Sequence, residues 1–85
     1  MYQLRLLDNA IDDLAHLDKP IARRITERLS WLAENFDFIR PIPLTGNLAG
    51  FYKLRVGDYR VVYEILYDER LVLVHFVGHR REVYR

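Results

Sequence analysis

The chain of 85 residues contains no cysteine, which excludes disulfide bonds and metal sites built on thiolates. It has no run of about 18 apolar residues, the length that a membrane-spanning helix requires. Its first residues do not have the apolar character of a signal peptide. We therefore expect a cytoplasmic protein that does not bind a membrane. The net charge is only +1, so total charge alone predicts no polyanionic ligand, and the positions of the charges must decide.

The chain does contain enough apolar material for one core. Hydrophobic residues make up 51% of it, which excludes a disordered protein, and aromatic residues make up 13%. A chain of this length is near the lower limit for a self-sufficient core. We predict a single domain over residues 1–85, because no internal repeat and no change of composition marks a second one.

The spacing of apolar residues predicts one strand, two helices and three further strands. Tyr2–Leu7 alternates as a short strand, and helical spacing begins shortly after Asp8. The sequence Asp18-Lys19-Pro20 ends this helix and begins a second one, because proline is tolerated in a first helical turn. The second helix carries an apolar stripe that consists of Ile21, Ile25, Leu29 and Leu32.

Residues 35–50 contain prolines and glycines that disfavour regular structure, so we expect an irregular segment there. Strands follow over Phe51–Val56, Tyr59–Tyr67 and Leu71–Val77, and Gly78 ends the last one. The sequence thus predicts an α+β fold. A two-helix antiparallel hairpin packs on one face of a mixed, mainly antiparallel four-stranded sheet, which consists of the N-terminal strand and a three-stranded antiparallel meander.

The stretch FYKLRVGDYRVVYEI, Phe51–Ile65, has the pattern of a β-hairpin with Gly57-Asp58 as its two-residue turn. This register puts Arg55 directly opposite Arg60, with Lys53 two residues along on the same face. Like charges at opposed positions weaken a sheet by about a few tenths of a kcal/mol or more. A phosphate bound between the arginines would remove the repulsion, so the pattern favours a face that binds a polyanion.

A simpler interpretation is that these cations are ordinary surface residues. Cations on an open sheet face are usually solvated, and the facing arginines can splay apart or be bridged by Glu64 or Asp58. The clustering of three cations favours the phosphate-binding interpretation. We expect the segment after Gly78 to add His79, Arg80 and Tyr84 to the same side of the sheet.

Other chemistries have less support in the sequence. The three histidines, His16, His75 and His79, lack the spacing of a metal motif. No nucleotide-binding or serine-hydrolase motif is present. We therefore expect neither a metal ion nor a cofactor.

Two segments, LTGNLAGFYKLRVGDYRVVYEI (Leu44–Ile65) and VGHRREVYR (Val77–Arg85), resemble the RelE/ParE superfamily of bacterial and archaeal toxins. The resemblance covers essentially the whole chain. It implies a type II toxin–antitoxin module, whose toxin enters the A site of the 30S ribosomal subunit, cleaves mRNA there, and is silenced by a cognate antitoxin in a hetero-oligomeric complex. The tyrosine near the end is typical of the RelE branch of ribosome-dependent endoribonucleases. A ParE-like inhibitor of DNA gyrase, or a catalytically weak binding module, remains the alternative.

The resemblance also implies roles for individual residues. The catalytic positions of the family fall on Lys53, Arg55, Arg60, Arg80 and Tyr84. The residues expected to bind RNA are Lys53, Arg55, Arg60, His79, Arg80 and Arg81. Such an enzyme uses the 2′-OH of the RNA as the nucleophile, and neighbouring like charges disfavour the protonated form of a lysine, so Lys53 is the candidate general base. Arg55 stands where well-known bacterial members often have lysine, and an arginine can stabilise charge but cannot act as a base.

Overall fold

The computed structural model of the chain describes residues 1–79. Three predicted site residues, Arg80, Arg81 and Tyr84, lie outside the described residues. The elements in chain order are β1 (Gln3–Leu6), α1 (Asp8–Ala15), α2 (Lys19–Glu34), β2 (Ile42–Pro43), β3 (Tyr52–Val56), β4 (Tyr59–Leu66) and β5 (Leu71–His79). Short 3-10 turns at Phe36–Phe38 and Gly46–Leu48 lie on either side of β2.

The strands form one sheet in the order β1-β5-β4-β3-β2, in which β1 pairs parallel with β5 and the other pairs are antiparallel. The predicted α+β class and the mixed sheet are confirmed. The predicted number of strands is wrong, because the sheet has five strands instead of four. The additional strand, β2, is two residues long and lies at the edge beside β3. Because β2 contains Pro43, the sequence did not predict a strand there. Proline is nevertheless tolerated in a strand at the edge of a sheet.

The two helices pack on one face of the sheet and enclose the core. The apolar stripe of α2 packs on the core as predicted, with Ile25 and Leu29 at 0% exposure and Ile21 half-buried. Val61 on β4 and Val72 on β5 lie in the same cluster, also at 0%. A buried aliphatic side chain of this size contributes about 1.5–3 kcal/mol, so this layer carries much of the stability.

A hydrogen bond holds α1 against the sheet. The carboxylate Oδ2 of Asp13 accepts a hydrogen bond of 2.8 Å from the backbone N–H of Val77 on β5. This bond crosses 64 positions of sequence and satisfies a partly buried group. The short helix α1 is thereby held at a defined place beside the last strand.

The hairpin of β3 and β4 has the predicted register. Arg55 pairs with Arg60 and Val56 pairs with Tyr59, so Gly57 and Asp58 form the two-residue turn. Gly57 has φ +60°, a backbone conformation that a two-residue hairpin turn requires and that glycine adopts without strain.

The last strand differs from the prediction in two respects. It continues through Gly78 to His79, because Gly78 pairs with Arg60 inside the ladder, so the prediction that Gly78 ends the strand is wrong. It also contains a β-bulge. Val62 pairs with Phe76 but Tyr63 pairs with Val74, which leaves His75 as the extra residue of β5.

Candidate active site on the open face of the sheet

The face of the sheet that α1 and α2 leave uncovered is called here the open face. It carries Lys53, Arg55 and Arg60, which form the basic cluster. Arg55 lies opposite Arg60, and Lys53 lies opposite Val62 in the next position along the same face. Arg55 is exposed, whereas Lys53 and Arg60 are half-buried. The structure therefore brings together the three cations that the hairpin pattern predicted to share a face.

Arg55 is ordered by the hairpin turn. Its Nε donates a hydrogen bond of 3.2 Å to the carbonyl oxygen of Gly57. A guanidinium has five N–H donors, so this bond leaves others that can bind a phosphate. The turn thus fixes the position of the cation and leaves its binding capacity in place.

Two further arginines, absent from the sequence-based prediction, extend the positive charge around the sheet edge. Arg28 of α2 and Arg40, which precedes β2, line a groove of about 210 Å³ together with Lys53 and Arg55. None of the residues that line this groove is acidic. No local pattern in the sequence predicts this arrangement, because the cations come from three segments that only the tertiary fold brings together.

An acid–histidine pair lies beside the basic cluster on the open face. The Nε2 of His75 and the Oε1 of Glu64 are 3.0 Å apart, and the two side chains are 26% and 38% exposed. The ring of Phe51 contacts the imidazole edge-on, with 4.8 Å between ring centroids. Strict alternation along β5 does not predict this pair, because the bulge shifts the side of the sheet to which His75 points.

His79 does not join the basic cluster. It pairs with Tyr59 in the ladder, and the two rings meet edge-on with their centroids 5.5 Å apart. Together with Tyr59 it lines a cavity of about 450 Å³ that also includes Asp13 and His16 of the α1 region. His79 therefore lies on the side covered by the helices, opposite to the predicted side, because β5 continues past Gly78.

Two absences concern the described part of the chain, residues 1–79. No group of three His, Asp or Glu side chains there is arranged to hold a metal ion. No helix within these residues is long and apolar enough to cross a membrane.

Solved structures of toxins share this arrangement of two helices on a mixed sheet. The toxin–antitoxin complex RelBE2 from Mycobacterium tuberculosis matches with 30% identity and a TM-score of 0.83 over 93% of this chain and 98% of that chain. The archaeal RelE–RelB complex from Pyrococcus horikoshii matches with 25% identity and a TM-score of 0.69 over 93% of this chain and 94% of that chain. The isolated E. coli RelE toxin, at 23% identity and a TM-score of 0.76 over 93% of this chain and 84% of that chain, shares the fold.

The family model for the ParE toxin of the type II toxin–antitoxin system parDE matches residues 4–84. No curated protein sequence matches the chain significantly. The fold defines a small α+β toxin. The chain belongs to the RelE/ParE superfamily of toxins of type II toxin–antitoxin systems, and the resemblance seen in the sequence is confirmed.

Proposed function

We propose that the chain is a ribosome-dependent endoribonuclease that cleaves mRNA in the A site of the 30S subunit and thereby inhibits translation in the cytoplasm. The observation that carries this proposal is the pair of directly opposed arginines, Arg55 and Arg60, with Lys53 one position further along the same open face. Such a pair costs about 0.2–1 kcal/mol in the free protein. A scissile phosphate between the two guanidinium groups would remove that cost and receive charge-assisted hydrogen bonds from both.

The residues of the basic cluster suit the cleavage of RNA by its own 2′-OH. In this reaction Lys53, as the neutral amine, takes the proton of the 2′-OH while the 2′-oxygen forms a bond to phosphorus. Arg55 and Arg60 stabilise the charge that develops on the phosphoryl oxygens. The bond from phosphorus to the 5′-oxygen then breaks, which gives a 2′,3′-cyclic phosphate and a 5′-OH end. Arg80 and Tyr84, which lie outside the described residues, would stabilise the leaving oxygen and stack on a base.

Growth inhibition and primer extension on translated mRNA test this proposal. Lys53→Met should abolish toxicity and cleavage while the variant still binds the ribosome, because the substitution removes the base and keeps the aliphatic stem. The matched control is Lys19→Met, since Lys19 is the other lysine of the chain and is exposed at the start of α2. If Lys53→Met cleaves as the wild type does, Lys53 is not the base.

A second candidate function is inhibition of DNA gyrase. The match of residues 4–84 to the ParE family model favours it. A gyrase inhibitor needs no general base, so Lys53→Met should leave such an activity intact. Loss of toxicity in this variant therefore favours the nuclease, and retained toxicity with intact mRNA favours the gyrase inhibitor.

We also propose that a cognate antitoxin binds the chain in a hetero-oligomeric complex, as in the solved RelBE2 complex. Ile11 on α1 and Trp31 on α2 are large apolar side chains that are 51% and 43% exposed. An antitoxin that wraps the helices and the sheet would cover them, and its acidic residues would meet Arg55 or Arg60. A structure of the complex in which the antitoxin touches neither the helices nor the sheet would contradict this proposal.

A further inference from the structure

The bulge in β5 brings a titratable side chain to the open face. Val62 pairs with Phe76, and Tyr63 pairs with Val74, so His75 occupies the extra position. Its imidazole bonds to Glu64, which alternation along β4 puts on the same face as Arg60. Bulges are frequent beside active sites, where the additional residue redirects a side chain. His75 is thus a candidate for chemistry on the face that carries the basic cluster.

Lys53 lies on the β3 side of Val62, and His75 lies on the β5 side, displaced along the face towards Glu64. Lys53 pairs with Val62 from β3, and His75 is next to Phe76, which pairs with Val62 from β5. Val62 itself is 0% exposed and so lies beneath the surface of the open face. Neighbouring strands are about 4.8 Å apart, so β3 and β5 are separated by about 10 Å.

This separation suits an in-line displacement at phosphorus. The attacking and leaving oxygens lie on opposite sides of the phosphorus atom, so a base and an acid must approach from opposite sides. Two hydrogen bonds of about 2.8 Å each, added to the length of the O–P–O axis, span most of the distance between β3 and β5. A phosphate that is bound between Arg55 and Arg60 and extends towards Val62 would therefore have Lys53 on its β3 side and His75 on its β5 side.

The reaction also needs a proton donor that the arginines cannot supply. Arginine stays protonated at working pH, so Arg55 and Arg60 can stabilise charge but cannot give up a proton. A 5′-alkoxide is a poor leaving group unless it is protonated as it departs. Histidine is the side chain best suited to that task near neutral pH.

We propose that His75 is the general acid of the RNA cleavage and that Glu64 is the positioning residue that holds its ring; this inference rests on the proposed nuclease function. The Nε2–H of the imidazolium donates to Glu64, and the edge contact with Phe51 restricts rotation of the ring. Nδ1–H is then the proton donor. As the phosphorus–O5′ bond breaks, its electron pair stays on O5′, which takes the Nδ1 proton, while Lys53 holds the proton from the 2′-OH.

The test compares two mRNAs in the A site of assembled ribosomal complexes. One is an ordinary message, and the other has sulfur in place of the bridging 5′-oxygen at the scissile position. A thiolate leaves without protonation, so cleavage of the sulfur substrate does not need a general acid. His75→Gln should slow cleavage of the ordinary message by about 100-fold or more. It should cleave the sulfur substrate as fast as the wild type does.

Three variants complete the experiment. Lys53→Met should be slow on both substrates, because sulfur in the leaving group does not replace the base. Glu64→Gln should show a smaller loss on the ordinary message and the same rescue by sulfur. His16→Gln is the matched control, since His16 is exposed at the end of α1 and away from the open face, and it should cleave as the wild type does.

The outcomes separate the two proposals. A wild-type protein that cleaves neither message contradicts the nuclease function itself. Two other results would overturn the role of His75 while the wild type still cleaves the ordinary message. In the first, His75→Gln is equally slow on both substrates. In the second, His75→Gln cleaves the ordinary message as fast as the wild type does. Thermal unfolding is measured for each variant. If His75→Gln does not fold, Glu64→Gln serves as the test. If Glu64→Gln cleaves the ordinary message more slowly and the sulfur substrate does not restore the rate, the inference is overturned.

Discussion

The substitution Arg60→Ala separates the effect of the opposed arginines on stability from their effect on RNA cleavage. It removes a cross-strand repulsion of about 0.2–1 kcal/mol with Arg55, but also the packing of a half-buried aliphatic stem. These terms oppose each other, so the free energy of unfolding should change by less than about 1 kcal/mol, which corresponds to a shift in Tm of no more than about 4–8 °C for a domain of this size. Cleavage of ribosome-bound mRNA should fall far more, by about 2.7–4 kcal/mol of barrier, because a donor to the transition state is lost.

The assay pairs primer extension on translated mRNA with thermal unfolding of the same preparations. The control is Arg5→Ala, because Arg5 is an exposed arginine that pairs with Leu73 and so lies on the same open face, on strand β1. It should leave cleavage unchanged if position matters and general positive charge does not. If Arg60→Ala loses several kcal/mol of stability and still cleaves mRNA, Arg60 is a structural residue and not a donor to the transition state.

Three predictions concern the fold. Leu29→Ala should lower the free energy of unfolding in urea by about 2–5 kcal/mol, because Leu29 is 0% exposed and leaves a cavity; a loss under 1 kcal/mol would place it outside the core. Gly57→Ala should lower the free energy of unfolding by about 1–2 kcal/mol, because alanine is strained at φ +60°. An unchanged midpoint of unfolding in urea would contradict the turn geometry. Burial, with smaller contributions from Tyr52 and Tyr67, raises the pKa of Tyr63 above its ordinary value, so stability should be full below about pH 10 and fall as the pH rises further. Tyr63→Phe should reduce this alkaline loss, and identical pH profiles for both proteins would contradict it.

The parts of the fold that depend on residues close together in the sequence were predictable. The period of the side chains and the two-residue turn determine the register of the hairpin, so the opposition of Arg55 and Arg60 was predicted and is confirmed. The apolar stripe of α2 likewise indicated the buried face of the helix. β2 was not predictable, because a two-residue strand that contains Pro43 has no periodicity and forms only when β3 offers its edge.

The candidate site was only partly predictable, for reasons that lie in the tertiary structure. Arg28 and Arg40 reach the groove beside Lys53 from segments that have no local relation to the hairpin. His75 reaches the open face through a bulge, which no alternating pattern reveals. A strand that ends at Gly78 would let His79 turn to the open face, whereas the ladder continues through this glycine opposite Arg60 and keeps His79 on the covered side.

Two parallel reactions with the purified protein distinguish a ribosome-dependent nuclease from a gyrase inhibitor. In the first, it is added to ribosomes that hold a defined mRNA, with the same mRNA free in solution as the control, and primer extension maps the ends. In the second, it is added to DNA gyrase in a supercoiling assay. A ribosome-dependent nuclease should cleave within the A-site codon of the ribosome-bound mRNA, should not cleave the free mRNA comparably, and should leave supercoiling normal. Intact mRNA together with inhibited supercoiling would contradict the nuclease function.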